Sequence, residues 1–246
     1  MDKELLLRLR KEIHSARSIV FLGGAGVSTG SGIPDFRSPQ GLYNVRSEYG
    51  VEYEEILSHD YFFAHPETFY DFYWKHMVAL QARPNAAHKA LATFEAAGHK
   101  ITVITQNIDG LHQMAGSKNV LEAHGSVHRY TCLKCGRHYS LKDIKPQGVP
   151  HCSCGGMLKP DVVLYGEPLD EDTLVRSVEA VRFANVLIIG GTSMRVYPIA
   201  GLPQYFNIGT QIMINAEPTP YDRYCDYVFN EDIGETLTAL LEGGNG

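Results

Sequence analysis

The apolar positions of the chain gather into short β-branched runs: SIVFLG (18–23), ITVIT (101–105), NVLEAHG (119–125), NVLIIG (185–190), QIMIN (211–215) and DYVFN (226–230). Most are near-continuously apolar, as expected of strands buried on both faces of a parallel sheet. Helix-like stretches lie between several of them. MDKELLLRLRKEIHSA reads as an amphipathic first helix, HPETFYDFYWKHMVALQA as a second, and NAAHKALATFEAAG as a third that closes at Gly98. Strands alternating with helices predict βαβ units, hence an α/β fold with a Rossmann-like, doubly wound parallel sheet.

Each strand runs into something polar. SIVFLG leads to a glycine loop, ITVIT to Gln106-Asn107-Ile108-Asp109, and NVLEA to His124-Gly125. NVLIIG leads to Gly191-Thr192-Ser193, and QIMI to Asn215. Ligands of open α/β sheets bind outside the carboxyl ends of the strands, so these five ends predict one crevice.

The segment from Val127 to about Pro160 breaks the pattern, with clustered cysteines, several glycines and no long helical period. It reads as a small insertion at 127–160, with 1–126 and 161–246 forming the dinucleotide-binding domain. Four of the five cysteines (Cys132, Cys135, Cys152 and Cys154) crowd into this segment, which looks like a metal module and not a secreted disulfide scaffold. The expected compartment is therefore the cytoplasm. The 246 residues suffice for one sizeable α/β domain plus a small module, and 44% hydrophobic with 20% charged content is ordinary for a globular chain. A net charge of −6 argues against a nucleic-acid surface. The longest apolar runs are far too short to span a bilayer, and the N-terminus carries scattered charge and no cleavage site of the signal-peptide kind.

Residues 22–37 read LGGAGVSTGSGIPDFR. Gly24-Ala25-Gly26-Val27-Ser28-Thr29 after a strand approximates the dinucleotide fingerprint: one glycine for a tight turn, one for close approach to a pyrophosphate at a helix N-terminus. Thr29 replaces the third glycine, and the usual acid ending the second strand is missing. Gly30, Gly32 and Pro34 suit a loop able to close over a ligand, and Asp35, Phe36 and Arg37 offer an acid, a ring face and a cation beside the phosphates.

GAGVSTGSGIPDFR, TQNIDGLH (105–112), HG (124–125), PDVVLYGE (160–167) and GTSMRVYP (191–198) resemble, in order and spacing, the signature blocks of the sirtuins. The resemblance covers nearly the whole chain and implies an NAD-dependent protein-lysine deacetylase whose partners are acetylated-lysine peptides or proteins. It puts His124 as the general base acting on a ribose hydroxyl, in keeping with an imidazole that titrates near neutrality. By the same resemblance Asp109 and the Ile108 backbone bind the nicotinamide amide, and Gln106 and Asn107 line the ribose pocket. Thr192 and Ser193 look like phosphate or ribose contacts, Asn215 like an adenosine-ribose contact, and Asp232 like an adenine contact. A substrate peptide would add as a strand between the segments around Gly166-Glu167 and Val196-Tyr197, following Val163. The acyl-lysine would pass a tunnel lined by Phe36, Tyr165 and Val196. Sirtuins that prefer acidic acyl groups share a Tyr-x-x-Arg pair on the helix before the Pro84-Asn85-Ala86 segment; here that stretch is Phe72-Tyr73-Trp74-Lys75, so a neutral acyl group is expected.

The cysteines match less well. Cys132-x-x-Cys135 is a standard zinc half-site, but the second half is Cys152-Ser153-Cys154, where sirtuins usually have a two-residue spacer. A one-residue spacer can chelate, yet it is not expected to wrap the same turn of backbone N–H groups around the sulfur. His151 and His138 stand by as substitutes. Two rival functions remain: an NAD-dependent protein ADP-ribosyltransferase, which would not need His124, and a non-catalytic NAD-sensing or zinc-mediated interaction protein.

Overall fold

The computed structural model describes residues 2–35 and 46–242. The expectations for Phe36 and Arg37 lie outside those residues. Six parallel strands form the main sheet: β1 (Ile19–Gly23), β2 (Ile101–Thr105), β3 (Val120–Glu122), β7 (Val186–Gly190), β8 (Thr210–Ile214) and β9 (Tyr227–Phe229). Their spatial order is β3-β2-β1-β7-β8-β9, the doubly wound order in which the chain reverses direction beside β1.

Alternation sorts the side chains of each strand to two cores. Ile19 and Phe21, Val186 and Ile188, and Ile212 and Ile214 join Leu9, Leu91 and Leu237 from the helices Lys3–Ser15, Ala86–Ala96 and Ile233–Leu241. Val20, Leu22, Leu187, Ile189 and Met213 face the other way, against Val181 of the helix Glu171–Arg182 and the 3-10 turn holding Ile199 and Leu202. Both faces are covered, which is why the strands read as continuous apolar runs. No helix among the described residues is long and apolar enough to cross a membrane.

A second, three-stranded antiparallel sheet is built from β4 (Gly125–Cys132), β5 (His138–Ser140) and β6 (Leu158–Val162), in the order β5-β4-β6. It shares a third core with the aromatic helices, where Phe69, Tyr70, Phe72 and Tyr73 are fully buried.

Three expectations need correction. The stretch 65–82 is not one regular helix: Pro66–Phe72 is α-helical, Tyr73–Met77 is a wider π turn, and the helix ends at Val78. The extra residue per turn lets Phe72 and Tyr73 both face the core and brings His76 and Met77 to the crevice. The run NVLEAHG is a strand only over Val120–Glu122, so His124 stands past its end, between the two sheets. Finally, no α-helix follows the glycine loop within the described residues up to Asp35. Two 3-10 turns, Ala25–Val27 and Thr29–Ser31, take its place, closed by Gly32 at φ +81°.

Candidate active site

The strand ends open on one cavity of about 920 Å³. It is lined by Gly24, Ala25, Gly26, Ser28, Thr29 and Asp35 from the glycine loop and by Gln106, Asn107, Ile108 and Asp109 after β2. His124 lies in its wall, Gly191, Thr192 and Ser193 follow β7, and Asn215 and Asp232 close the far end. Val163, Tyr165, Gly166, Glu167, Val196 and Tyr197 line the same space. Every cofactor- and substrate-site residue expected from the sequence is thus brought together, apart from Phe36 and Arg37.

The bare backbone has a packing reason. A Cβ on Gly26 would sit 2.8 Å from Gly191 Cα, and one on Gly191 would sit 2.5 Å from Val27 N. Gly191 also holds φ +59°. The β1 and β7 loops therefore touch backbone to backbone, with Gly26 N–H donating to the Gly191 carbonyl oxygen at 2.8 Å.

Around that loop runs a polar network. Ser28, almost wholly buried, donates its hydroxyl to Asp109 Oδ2 at 2.7 Å and accepts from Asn107 Nδ2 at 2.9 Å. Asp109 Oδ1 accepts from Leu111 N at 2.9 Å, and Gln106 Nε2 donates to Thr192 Oγ1 at 3.0 Å. These bonds fix the side chains of three separate sequence blocks before any ligand arrives.

His124 Nδ1 lies 3.1 Å from the Gln106 carbonyl oxygen, so Nδ1–H donates there and Nε2 keeps a lone pair. Burial holds its pKa below the ordinary imidazole value, opposed by the Gln106 carbonyl. The residue after it must be glycine. Gly125 has φ +78°, and a Cβ there would lie 1.9 Å from the Asp161 carbonyl oxygen, where β4 crosses β6. His128, which the sequence did not single out, donates from Nε2 to the Asp109 carbonyl at 2.9 Å, while Val127 N–H donates to the Ile108 carbonyl. The small sheet thus grips the turn after β2 at two adjacent carbonyls, those of Ile108 and Asp109.

Two expected ligand contacts prove to be occupied within the chain. Glu167 Oε2 accepts from Lys159 Nζ and from Leu164 N, both at 2.9 Å, which staples the 162–167 loop. The Glu167 N–H donates in turn to the Leu164 carbonyl oxygen at 2.9 Å. Asp232 caps the helix Ile233–Leu241 by accepting from Glu235 N at 2.8 Å.

The cysteine ligands converge despite the short spacer. The four Sγ atoms lie within 4.8 Å of one another, with Cys132–Cys154 at 3.6 Å and Cys135–Cys152 at 3.7 Å. Thiolates about 2.3 Å from a tetrahedral zinc are about 3.8 Å apart, so the set fits that ion. The one-residue spacer still aims Cys154 N–H at Cys152 Sγ, 3.5 Å away, and that contact with the Tyr139 hydroxyl brings the Cys152 thiol down to about 5. The substitutes are engaged elsewhere: His138 with Thr131, His151 with the Val149 carbonyl.

The glycine loop, the polar network and His124 form one block of sequence and space, and residues 24–198 match the model of the Sir2 family. The chain belongs to the Sir2 family. It is 52% identical to an NAD-dependent protein deacetylase of Cutibacterium acnes over 229 residues, covering 93% of this chain and 94% of that protein. A protein of the same description from Clostridium acetobutylicum is 48% identical, covering 95% and 96% of the two chains. Among solved structures it resembles a Sir2 complex with p53 peptide and NAD+ (TM-score 0.84, 37% identity, 98% of each chain). It also resembles Sir2 with the inhibitor EX-527, 2'-O-acetyl-ADP-ribose and deacetylated p53 peptide (TM-score 0.83, 37% identity, 98% of each chain). The cavity lies at the carboxyl ends of the main sheet's strands, as the polar residues there predicted, and Val162 of β6 brings the small sheet into its wall.

Proposed function

We propose that the chain is an NAD-dependent protein-lysine deacetylase that releases nicotinamide and O-acetyl-ADP-ribose. The observation that carries the reading is His124, a neutral imidazole whose Nδ1–H is committed to Gln106 and whose Nε2 is available as a base inside the cavity that the glycine loop lines. NAD supplies the electrophilic ribose carbon and the ADP-ribose that takes up the acyl group. Ser28, Asn107 and Asp109 orient the ribose and nicotinamide ends, and His124 accepts the proton of the ribose hydroxyl that attacks the acyl carbon. The peptide backbone adds as a strand between the segments around Gly166-Glu167 and Val196-Tyr197. Cys132, Cys135, Cys152 and Cys154 hold a structural zinc that ties the turns of the 127–160 module together, with 1–126 and 161–246 as the dinucleotide-binding domain.

The acyl group is neutral. Lys75 makes an ion pair with Glu48 and lies over the Tyr49 ring, and it is not among the described residues that line the cavity. Tyr73 is buried, its hydroxyl accepting from that of Tyr130. A succinyl carboxylate would find no free partner in either. The cytoplasm is the fitting compartment, because a thiolate cluster of this kind survives where thiols stay reduced.

Mass spectrometry of products from NAD and an acetyl-lysine peptide tests the function. Deacetylated peptide, nicotinamide and acetyl-ADP-ribose in equal amounts are expected. A peptide gaining the mass of ADP-ribose would instead establish the transferase, and unchanged reactants a binding protein.

A further inference from the structure

The glycine loop poses a mechanical problem. An ordinary dinucleotide-binding loop runs into an α-helix whose hydrogen-bond ladder holds it still. Here the chain makes only two 3-10 turns between Ala25 and Ser31, with glycines at 24, 26, 30 and 32. Such a loop loses much conformational freedom on ordering, so something else must hold it in one shape.

Besides the Gly191 contact and the Ser28 network, one side chain from a distant helix start reaches both turns. Asn85 Nδ2 donates to the Val27 carbonyl at 2.7 Å and to Ser31 Oγ at 3.0 Å, joining the last residue of the first turn to the last residue of the second. Its other amide atom, Oδ1, caps the helix Ala86–Ala96 by accepting from Ala87 N at 2.9 Å. The Asn85 backbone N–H is in turn received by His88 Nδ1, which completes a capping box. His88 is wholly buried, so the anchor is embedded in the core and not on a surface arm. Gly30 lies against the amide: a Cβ there would come within 3.3 Å of Nδ2. The amide's two ends thus face opposite ways, Nδ2 toward the loop and Oδ1 toward the helix. Between its two loop contacts lies Ser28, the residue that meets Asn107 and Asp109.

We infer that Asn85 is a positioning residue for NAD: its Nδ2 donors hold the Val27–Ser31 stretch of the double turn, and with it Ser28, in the shape that receives the dinucleotide. It touches no reacting atom. The inference rests on the reading of the glycine loop as the dinucleotide site. The same amide serves helix and loop with different atoms, so the two jobs can be separated.

Asn85→Ser separates them. Serine is as good an N-cap as asparagine, so the helix keeps its cap. A hydroxyl carries no amide Nδ2, so both bonds to the loop are lost without a change of charge. The expected result is an NAD KM raised about tenfold, given two hydrogen bonds of ordinary strength. The peptide KM and the Tm should stay near wild type. Asn85→Ala should add a fall in Tm from the lost cap while leaving the NAD KM where serine put it. A wild-type NAD KM in Asn85→Ser, or NAD and peptide KM rising together with a falling Tm, would overturn the inference. Should the serine variant fold poorly, Ser31→Ala removes one arm from the loop side. It should raise the NAD KM about threefold, given one such bond, and an unchanged KM would count against the tether equally. Ser28→Ala is the reference: if it too leaves NAD binding unchanged, the dinucleotide reading of the loop has failed. If only the Asn85 and Ser31 variants are silent, the tether alone has failed.

Discussion

Replacing His124 by alanine removes the group that, among the described residues of the cavity, is poised as a general base. His76 also lines the cavity, but its Nε2 is buried and has no hydrogen-bond partner among the described residues, 3.6 Å from Glu48 Oε2. His76 is therefore no ready substitute, and the loss should approach the upper part of the usual range for a positioned base, about 10²–10⁴-fold. That is about 3–5 kcal/mol of transition-state stabilisation. Early loss of nicotinamide does not need the base, so exchange of labelled nicotinamide into NAD should survive in the His124→Ala variant while acetyl-ADP-ribose formation falls. The wild-type pH profile gives a second reading of the same group. Only neutral imidazole can accept the proton, so the rate falls as pH drops through the His124 pKa. Burial sets that pKa below the ordinary imidazole value, so the neutral, competent form already predominates at pH 7. The acid limb should lie below pH 6.5 and vanish in His124→Ala. Steady-state deacetylation across pH 5 to 8, alongside the exchange assay, measures both. A variant that deacetylates within threefold of wild type, or a limb centred above pH 7, would show that another group takes the proton.

Cys132→Ser should lower the Tm and the yield of folded protein, because a structural zinc site contributes folding energy directly. Protein purified without chelator should carry one zinc per chain, and X-ray absorption should fit four sulfurs and no nitrogen. Acetyl-lysine peptide should be processed faster than the succinyl-lysine version, with Lys75→Ala leaving the ratio unchanged; a succinyl rate at or above the acetyl rate would mean that Lys75 abandons Glu48 for substrate. Glu167→Gln should raise the peptide KM by several-fold with little effect on the NAD KM. The carboxylate orders the 162–167 loop from within a mostly buried pair with Lys159, the Lys159 and Glu167 side chains being 16% and 18% exposed. Equal changes in both KM values would place Glu167 elsewhere in the mechanism.

Much of this was written in the chain's local patterns. Strands buried on both faces must be apolar throughout, so β1, β2, β7 and β8 declare themselves within a residue of their observed ends. Asn85 before AAHKALATFEA marks a helix start, and Gly98 its stop, because capping is a matter of a few consecutive residues. The site residues were likewise readable as polar groups at strand ends, since a parallel sheet leaves only that edge for ligands. Tertiary structure decided what local pattern cannot hold. The glycine loop became two 3-10 turns because Gly26 packs on Gly191 and Asn85 grips it from 54 to 58 residues away. Glu167 turned inward to Lys159, and His128 reached across to the Asp109 carbonyl. The π turn at Tyr73–Met77 answers to an aromatic core supplied partly by the small sheet. Each of these depends on which distant backbone or side chain arrives beside a residue, and such meetings leave no periodicity in the sequence.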